Sequence, residues 1–148
     1  MRSGVFVIDS NSKLSNEGAD NQKSKYLPPN TVLVACIGAN AGKVAISAIP
    51  AQTNQQINAL VTKYPCFVYH VIKNGTDDLR SMGDGSSTML NINKTSFESF
   101  PLLLPPQKVL LTFENRVKAV FSLVLKNLRE MQRLENTQRL LVSRLSSG

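Results

Sequence analysis

Tryptophan is missing from this chain, histidine occurs once and cysteine twice. The single His70 has no second His and no clustered carboxylate beside it, which argues against a metal site or a catalytic base and for packing within a strand. Cys36 and Cys66 both sit in apolar runs, so buried thiols in a reducing compartment are expected, not a disulfide or metal ligands. There is no run of 18 apolar residues and no N-terminal leader core. A soluble, unexported, cytoplasmic chain without membrane contact is therefore expected. In that setting the Asn-x-Thr triplets at Asn74 and Asn93 carry no meaning for glycosylation. Nucleotide motifs fail on inspection. A Walker loop needs four residues between its glycines and Ser or Thr after its lysine; here three separate Gly38 from Gly42, and Val44 follows Lys43. Gly83-Asp84-Gly85 meets Thr88 where a dinucleotide fingerprint has its third glycine. With no paired carboxylates, Ser/His/Asp set or metal cluster, the economical reading is a non-catalytic binding module with no cofactor and no metal.

What the chain has is positive charge and one long helical stretch. Net charge is +7 over 148 residues, which fits a polyanion partner such as nucleic acid. From Gln107 onward eight Lys/Arg face three Glu. The same stretch, Gln107 to Leu145, contains no Pro or Gly and reads in heptads. Leu110, Val117, Val124, Met131, Gln138 and Leu145 fall at a, and Phe113, Val120, Asn127, Leu134 and Leu141 at d. About 39 residues make a rod of ~58 Å. The preceding 106 or so residues fold to a globule only ~35 Å across. The distal seam, Met131, Leu134, Leu141 and Leu145, must then lie in water unless another helix covers it. Asn127 and Gln138 on the seam suit control of register.

The predicted organisation is α+β: residues 1–106 form a small mixed-sheet domain, and residues 107–148 the coiled-coil-forming helix. Val5–Ile8 reads as a short strand, and opening mid-sheet it points to material missing before Met1. The polar segment from Asp9 to Lys25 reads as loop or a single helical turn. Thr31–Ile37 and Val44–Ile49 read as a hairpin around a basic, glycine-lined tip. Cys66–Ile72 reads as a strand, Thr76–Arg80 as a short helix and Leu90–Ile92 as a short strand. Asn93 caps a further helical turn or two, and Phe100–Leu104 reads as a final strand before Pro105-Pro106. Binding groups concentrate in three places. The tip offers Asn40, Gly42 and Lys43, whose backbone amides and ammonium can approach phosphate. Ala51–Leu60 carries five amides; Asn54 and Gln55 are candidates for base contacts, since Asn and Gln read adenine bidentately, and buried backbone satisfaction is the equal alternative. Ser86, Ser87 and Thr88 present hydroxyls suited to phosphate oxygens, and Lys94 adds a cation.

The ordered set LPPNTVLVACIGANAGKVAI, TNQQINAL, GSSTMLNI and FPLLLPPQ, followed by a long helix ending LENTQRLLVSRLSSG, resembles the specificity subunit of type I restriction–modification systems. The resemblance covers about Asp9 to Gly148. It implies a target recognition domain that reads one half of a split site in double-stranded DNA, followed by a spacer helix. It implies no catalytic residues. It also implies partners: methyltransferase subunits, through them restriction subunits, and an antiparallel second helix from a homodimer or another specificity half. The family's subunit has two domain–helix halves; this chain has one, lacking the usual opening helix and strands. An alternative follows from that departure, a truncated half that captures partners through its helix without specific DNA binding.

Overall fold

The computed structural model describes residues 4–10, 12–83 and 90–146. At its centre are two strands, β2 (Val32–Ala35) and β3 (Val44–Ser47), paired antiparallel with Leu33 opposite Ala45. Every residue of both strands is buried, as expected of near-continuous β-branched and small apolar runs. β1 (Phe6–Val7) lies parallel along β3 and β4 (Ile57–Leu60) antiparallel along β2, giving the order β1-β3-β2-β4. Strand side chains alternate between faces. Val32, Val34, Val44 and Ile46 therefore share a face, and there they meet Cys66, Tyr69 and Ile72 of α2 (Pro65–Asn74) and Phe121 of the long helix.

The hairpin is built as the sequence indicates, and its tip closes on two left-handed glycines, Gly38 (φ 71°) and Gly42 (φ 83°). α3 (Thr76–Ser81) packs directly on Gly42: an added Cβ would lie 2.9 Å from Thr76 Cγ2 and 3.0 Å from Arg80 Cγ. Gly42→Ala combines a disfavoured φ with that clash. It is expected to lower unfolding free energy in urea by about 1–3 kcal/mol. α1 (Asn16–Asp20) is a single capped turn within the polar N-terminal segment. α4 (Lys94–Glu98) starts where expected, with Asn93 Oδ1 accepting the Ser96 amide at 2.8 Å.

Three expected strands are corrected. Cys66–Ile72 is helical, not extended. Pro65 sits in the first turn of α2 and pre-sets φ there. The buried residues Cys66, Tyr69 and Ile72 recur at three-residue intervals, which suits a helix face. Phe100–Leu104 is irregular: Pro101 lacks a ladder donor, and Leu103 and Leu104 are exposed. Leu90–Ile92 makes only one bridge, Asn91 to Ile37, although Ile92 itself is buried.

α5 (Gln107–Ser146) is one uninterrupted helix of 40 residues, ~60 Å long. Its first half lies on the domain. Leu110, Glu114 and Phe121 are buried, and Val117 packs on the core between them. This 4-3-4 spacing is a helical stripe whose second member is charged. From Arg129 to Ser146 every residue is exposed except Gln132, which is half-buried. That second half projects ~27 Å past the domain.

Candidate nucleic-acid interface

Strand register brings separate turns to one end of the sheet. Ala35, at the end of β2, pairs with Ile57, at the start of β4. The hairpin tip and the turn preceding β4 are thus neighbours. The 90–92 segment joins them, with Gly38 N–H donating to Leu90 O at 2.9 Å and Ile92 N–H to Cys36 O at 2.8 Å. α3 locks the tip from one side, Arg80 Nη1 donating to Ala41 O at 3.0 Å.

At this end Asn40, Lys43, Asn54 and Gln55 are all exposed on turns. Asn54 Oδ1 accepts the Gln56 amide at 3.0 Å, which fixes the turn's shape. The other amides of this stretch behave differently. Gln52 Nε2 donates to Ala19 O and Gln22 O, both at 3.0 Å, and so tethers the N-terminal segment. Asn58 does neither: its backbone N–H donates to Cys36 Sγ at 3.2 Å, and its side-chain Nδ2 is buried without a hydrogen-bond partner among the described residues. The two readings weighed for the amide-rich stretch therefore divide by residue. Lys94 begins α4 two residues beyond Ile92 and is exposed, 3.5 Å from Glu98. An exposed pair of this kind holds its charges loosely.

Gly42 does not fit the role expected of it. It is buried, its amide donates to Ala35 O at 2.8 Å, and the amides of Gly38, Ala41 and Lys43 are likewise committed. The tip has no free amide at Gly42 to offer a phosphate; its part is to make the turn. Ser86, Ser87 and Thr88 lie outside the described residues.

Two residues matter that the sequence reading passed over. Arg80, at the end of the expected short helix, clamps the tip. Glu114 comes from α5 and caps α2: Oε1 accepts Cys66 N–H at 3.1 Å and Oε2 accepts Phe67 N–H at 2.9 Å. A carboxylate in the middle of an apolar helical stripe was the legible signal. Burial, with Glu114 beside it, pushes the Cys66 thiol up to about 12, and burial raises the Cys36 thiol as well. Both cysteines are free. His70 packs as expected of a structural histidine, though from a helix: its ring stacks on Phe121 and meets Phe113 edge-on, and Nδ1 lies 2.8 Å from Cys66 O. Among the described residues no group of three His, Cys, Asp or Glu is placed to hold a metal ion, and no helix is long and apolar enough to cross a membrane.

The helix seam also needs correction at its near end. A strict heptad averages 3.5 residues per turn, and a straight helix drifts about 20° against it per heptad, about 100° over five heptads. Position a consequently starts on the domain face at Leu110 and ends in solvent at Leu145. Leu110 is 5% exposed, and Phe113 packs on Phe67 and His70; Val117 also packs on the domain, and Val124 is half-buried. Val120, Met131, Leu134, Leu141 and Leu145 are between 55% and 84% exposed.

A small α+β domain with a turn-built polar end, carried on a projecting helix, defines a recognition module. The model of the type I restriction modification DNA specificity domain matches residues 3–131, and the chain belongs to that family. It is 32% identical over its whole length to the type I restriction enzyme HindI specificity subunit of Haemophilus influenzae. The chain spans about a third of that relative, 33%. It is a DNA-specificity domain and not a catalytic one.

Proposed function

We propose that the chain reads double-stranded DNA through the turn-built end of its sheet, as the non-catalytic specificity component of a cytoplasmic type I restriction–modification complex. Lys43 and Lys94 hold phosphates, and Asn40, Asn54 and Gln55 face base edges or backbone; the hydroxyls of Ser86, Ser87 and Thr88 suit further phosphate contacts. The observation that carries this reading is the convergence of three chain segments on one exposed end, rich in amides and cations, with its tip clamped by Arg80. Phosphate contacts position such a surface and base contacts give it sequence. The projecting half of α5 pairs antiparallel with a second specificity helix, from another copy or another half, and so spaces two reading ends. Methyltransferase subunits, and through them restriction subunits, join the paired assembly.

Fluorescence anisotropy on duplex DNA over a salt series tests the DNA contact. Each neutralised phosphate contributes ~0.9 to the slope of log K against log salt. Lys43→Ala is expected to reduce that slope by about one and to weaken all sequences alike. Binding that shows no salt slope and no competition between duplexes would sink the proposal.

A further inference from the structure

Two faces of α5 are accounted for, and a third is not. Leu110, Glu114, Val117 and Phe121 face the domain, and Val120, Leu123, Met131 and Leu134 form the exposed apolar face. With ~3.6 residues per turn, Lys118, Lys126, Arg129 and Arg133 fall within about 80° of one another, roughly a third of a turn from each of those faces. All four cations are exposed, and among the described residues none of them is paired with a carboxylate. Of the glutamates on α5, Glu114 is buried at the start of α2, Glu135 lies on the far side of the helix, and Glu130 borders the cations.

A shallow groove follows these cations along the helix, with Ser122 and Leu125 in it. Lys118, Ser122 and Leu125 continue it onto the domain, where they meet Asn30 and Pro65. Asn30 precedes β2, at the end of the sheet away from the hairpin tip. From Val32 to Ile37, where the tip begins, the extended chain runs ~17 Å. The basic face therefore starts at the opposite end of the sheet from the exposed turns.

We infer that this face is a second duplex-DNA contact, independent of sequence, which takes a different segment of DNA from the one held at the sheet end. Charge complementarity names the occupant. Lys118 to Arg133 covers ~22 Å of helix. One strand of a duplex presents a phosphate every ~3.4 Å along its axis, so about six phosphates lie along that length. Four cations on flexible stems reach four of them, the two arginines bidentately. An acidic protein surface has no such regular repeat. The contact carries no sequence, because nothing beside the cations is free to read a base edge: Leu125 is apolar, and the Ser122 hydroxyl donates to Lys118 O at 2.8 Å. The apolar face lies elsewhere on the rod and stays open to a partner helix. The two DNA contacts are independent, and either can fail alone.

Titration of the full chain with a duplex of about twelve base pairs and arbitrary sequence, ~41 Å long, tests the second contact. At low salt two duplexes are expected to bind per chain, and one when Lys118, Lys126, Arg129 and Arg133 are all replaced by Gln. Salt separates the contacts further. Four phosphate contacts contribute ~3.6 to the slope of log K against log salt, a weakening of ~150-fold between about 50 and 200 mM. The quadruple variant loses that component, Arg129→Gln with Arg133→Gln loses about half of it, and Lys43→Ala with Lys94→Ala leaves it in place. All four side chains are exposed, so the circular dichroism of the quadruple variant should match that of the parent chain. A quadruple variant that still binds two duplexes with an unchanged slope overturns the second contact and leaves the sheet end standing. A parent chain that binds one duplex, lost in the Lys43 and Lys94 variant and kept in the quadruple one, also overturns it and leaves the basic face to an acidic protein. A parent chain that binds one duplex, lost only in the quadruple variant, supports the basic face and overturns the sheet end instead.

Discussion

In the proposed pairing, Leu134→Asp with Leu141→Asp is expected to convert a dimer into a monomer with its domain intact. Both leucines are more than half exposed on the projecting half of α5, so the folded state of one chain loses little. The paired state loses four leucine side chains, two from each copy. At ~1.5–3 kcal/mol for each buried side chain this is about 6 kcal/mol at the least. That corresponds to more than a ten-thousandfold rise in Kd. The four aspartates add the cost of placing unpaired carboxylates in an apolar interface. Sedimentation equilibrium reads the effect directly, and urea unfolding of the domain serves as the control. A double variant that sediments as a dimer would show that the projecting stripe is not what holds two copies together. Loss of dimer with retained salt-dependent DNA binding would separate the spacer role of α5 from the reading role of the sheet end. Loss of both is expected only where one domain binds too weakly without its twin, because two linked contacts gain from effective concentration.

Much of this architecture is legible in the chain, and the misreadings have identifiable causes. The hairpin is plain because two β-rich runs flank a short loop with glycine at each end. The cap at Asn93 is plain because a capping interaction is local in sequence. The uninterrupted α5 follows from the absence of Pro and Gly over its whole length. By contrast, Cys66–Ile72 has a composition that suits either a strand or a helix, and apolar runs of that length are ambiguous. Pro65 was the available local cue. The stronger determinant is remote: the carboxylate that satisfies the first amides of α2 lies 48 residues away on α5. The heptad register fails at its domain end for a geometric reason, since one sequence period was made to serve two faces of a straight rod. At the candidate interface, exposure separates residues that composition could not. Asn54 and Gln55 stay at the surface, while Gln52 is drawn into tethering the N-terminal segment. Gly42 looked like an anion cradle because glycine and lysine adjoin there. The fold uses its positive φ and its missing Cβ instead, under α3.

Glu114→Ala is expected to destabilise the domain about as much as truncating one of the buried apolar side chains of α5. The carboxylate accepts from two backbone amides at the start of α2, and it is 6% exposed. A hydrogen bond to a charged group contributes about 1.5–3 kcal/mol. Removing the acceptor strands two donors where water has poor access, so a loss of about 3 kcal/mol or more is expected. For a small domain that is a large share of the total. Glu114→Gln keeps one oxygen but turns an NH2 toward an N–H, and should recover roughly half. Urea unfolding, followed by the circular dichroism of the whole chain, gives both values. A second readout distinguishes the cap from mere packing. Burial is the first cause of the high Cys66 pKa of about 12, and the Glu114 carboxylate adds to it. Without that carboxylate, the Cys66 thiol should become more acidic and react faster with alkylating reagents at mildly alkaline pH. The Cys36 thiol, held up by burial and in contact with Asn58 instead, should keep its rate. An alanine variant with a wild-type urea midpoint and unchanged Cys66 reactivity would mean that Glu114 does not join the rod to the domain. The apolar packing of Leu110, Phe113, Val117 and Phe121 would then carry that junction.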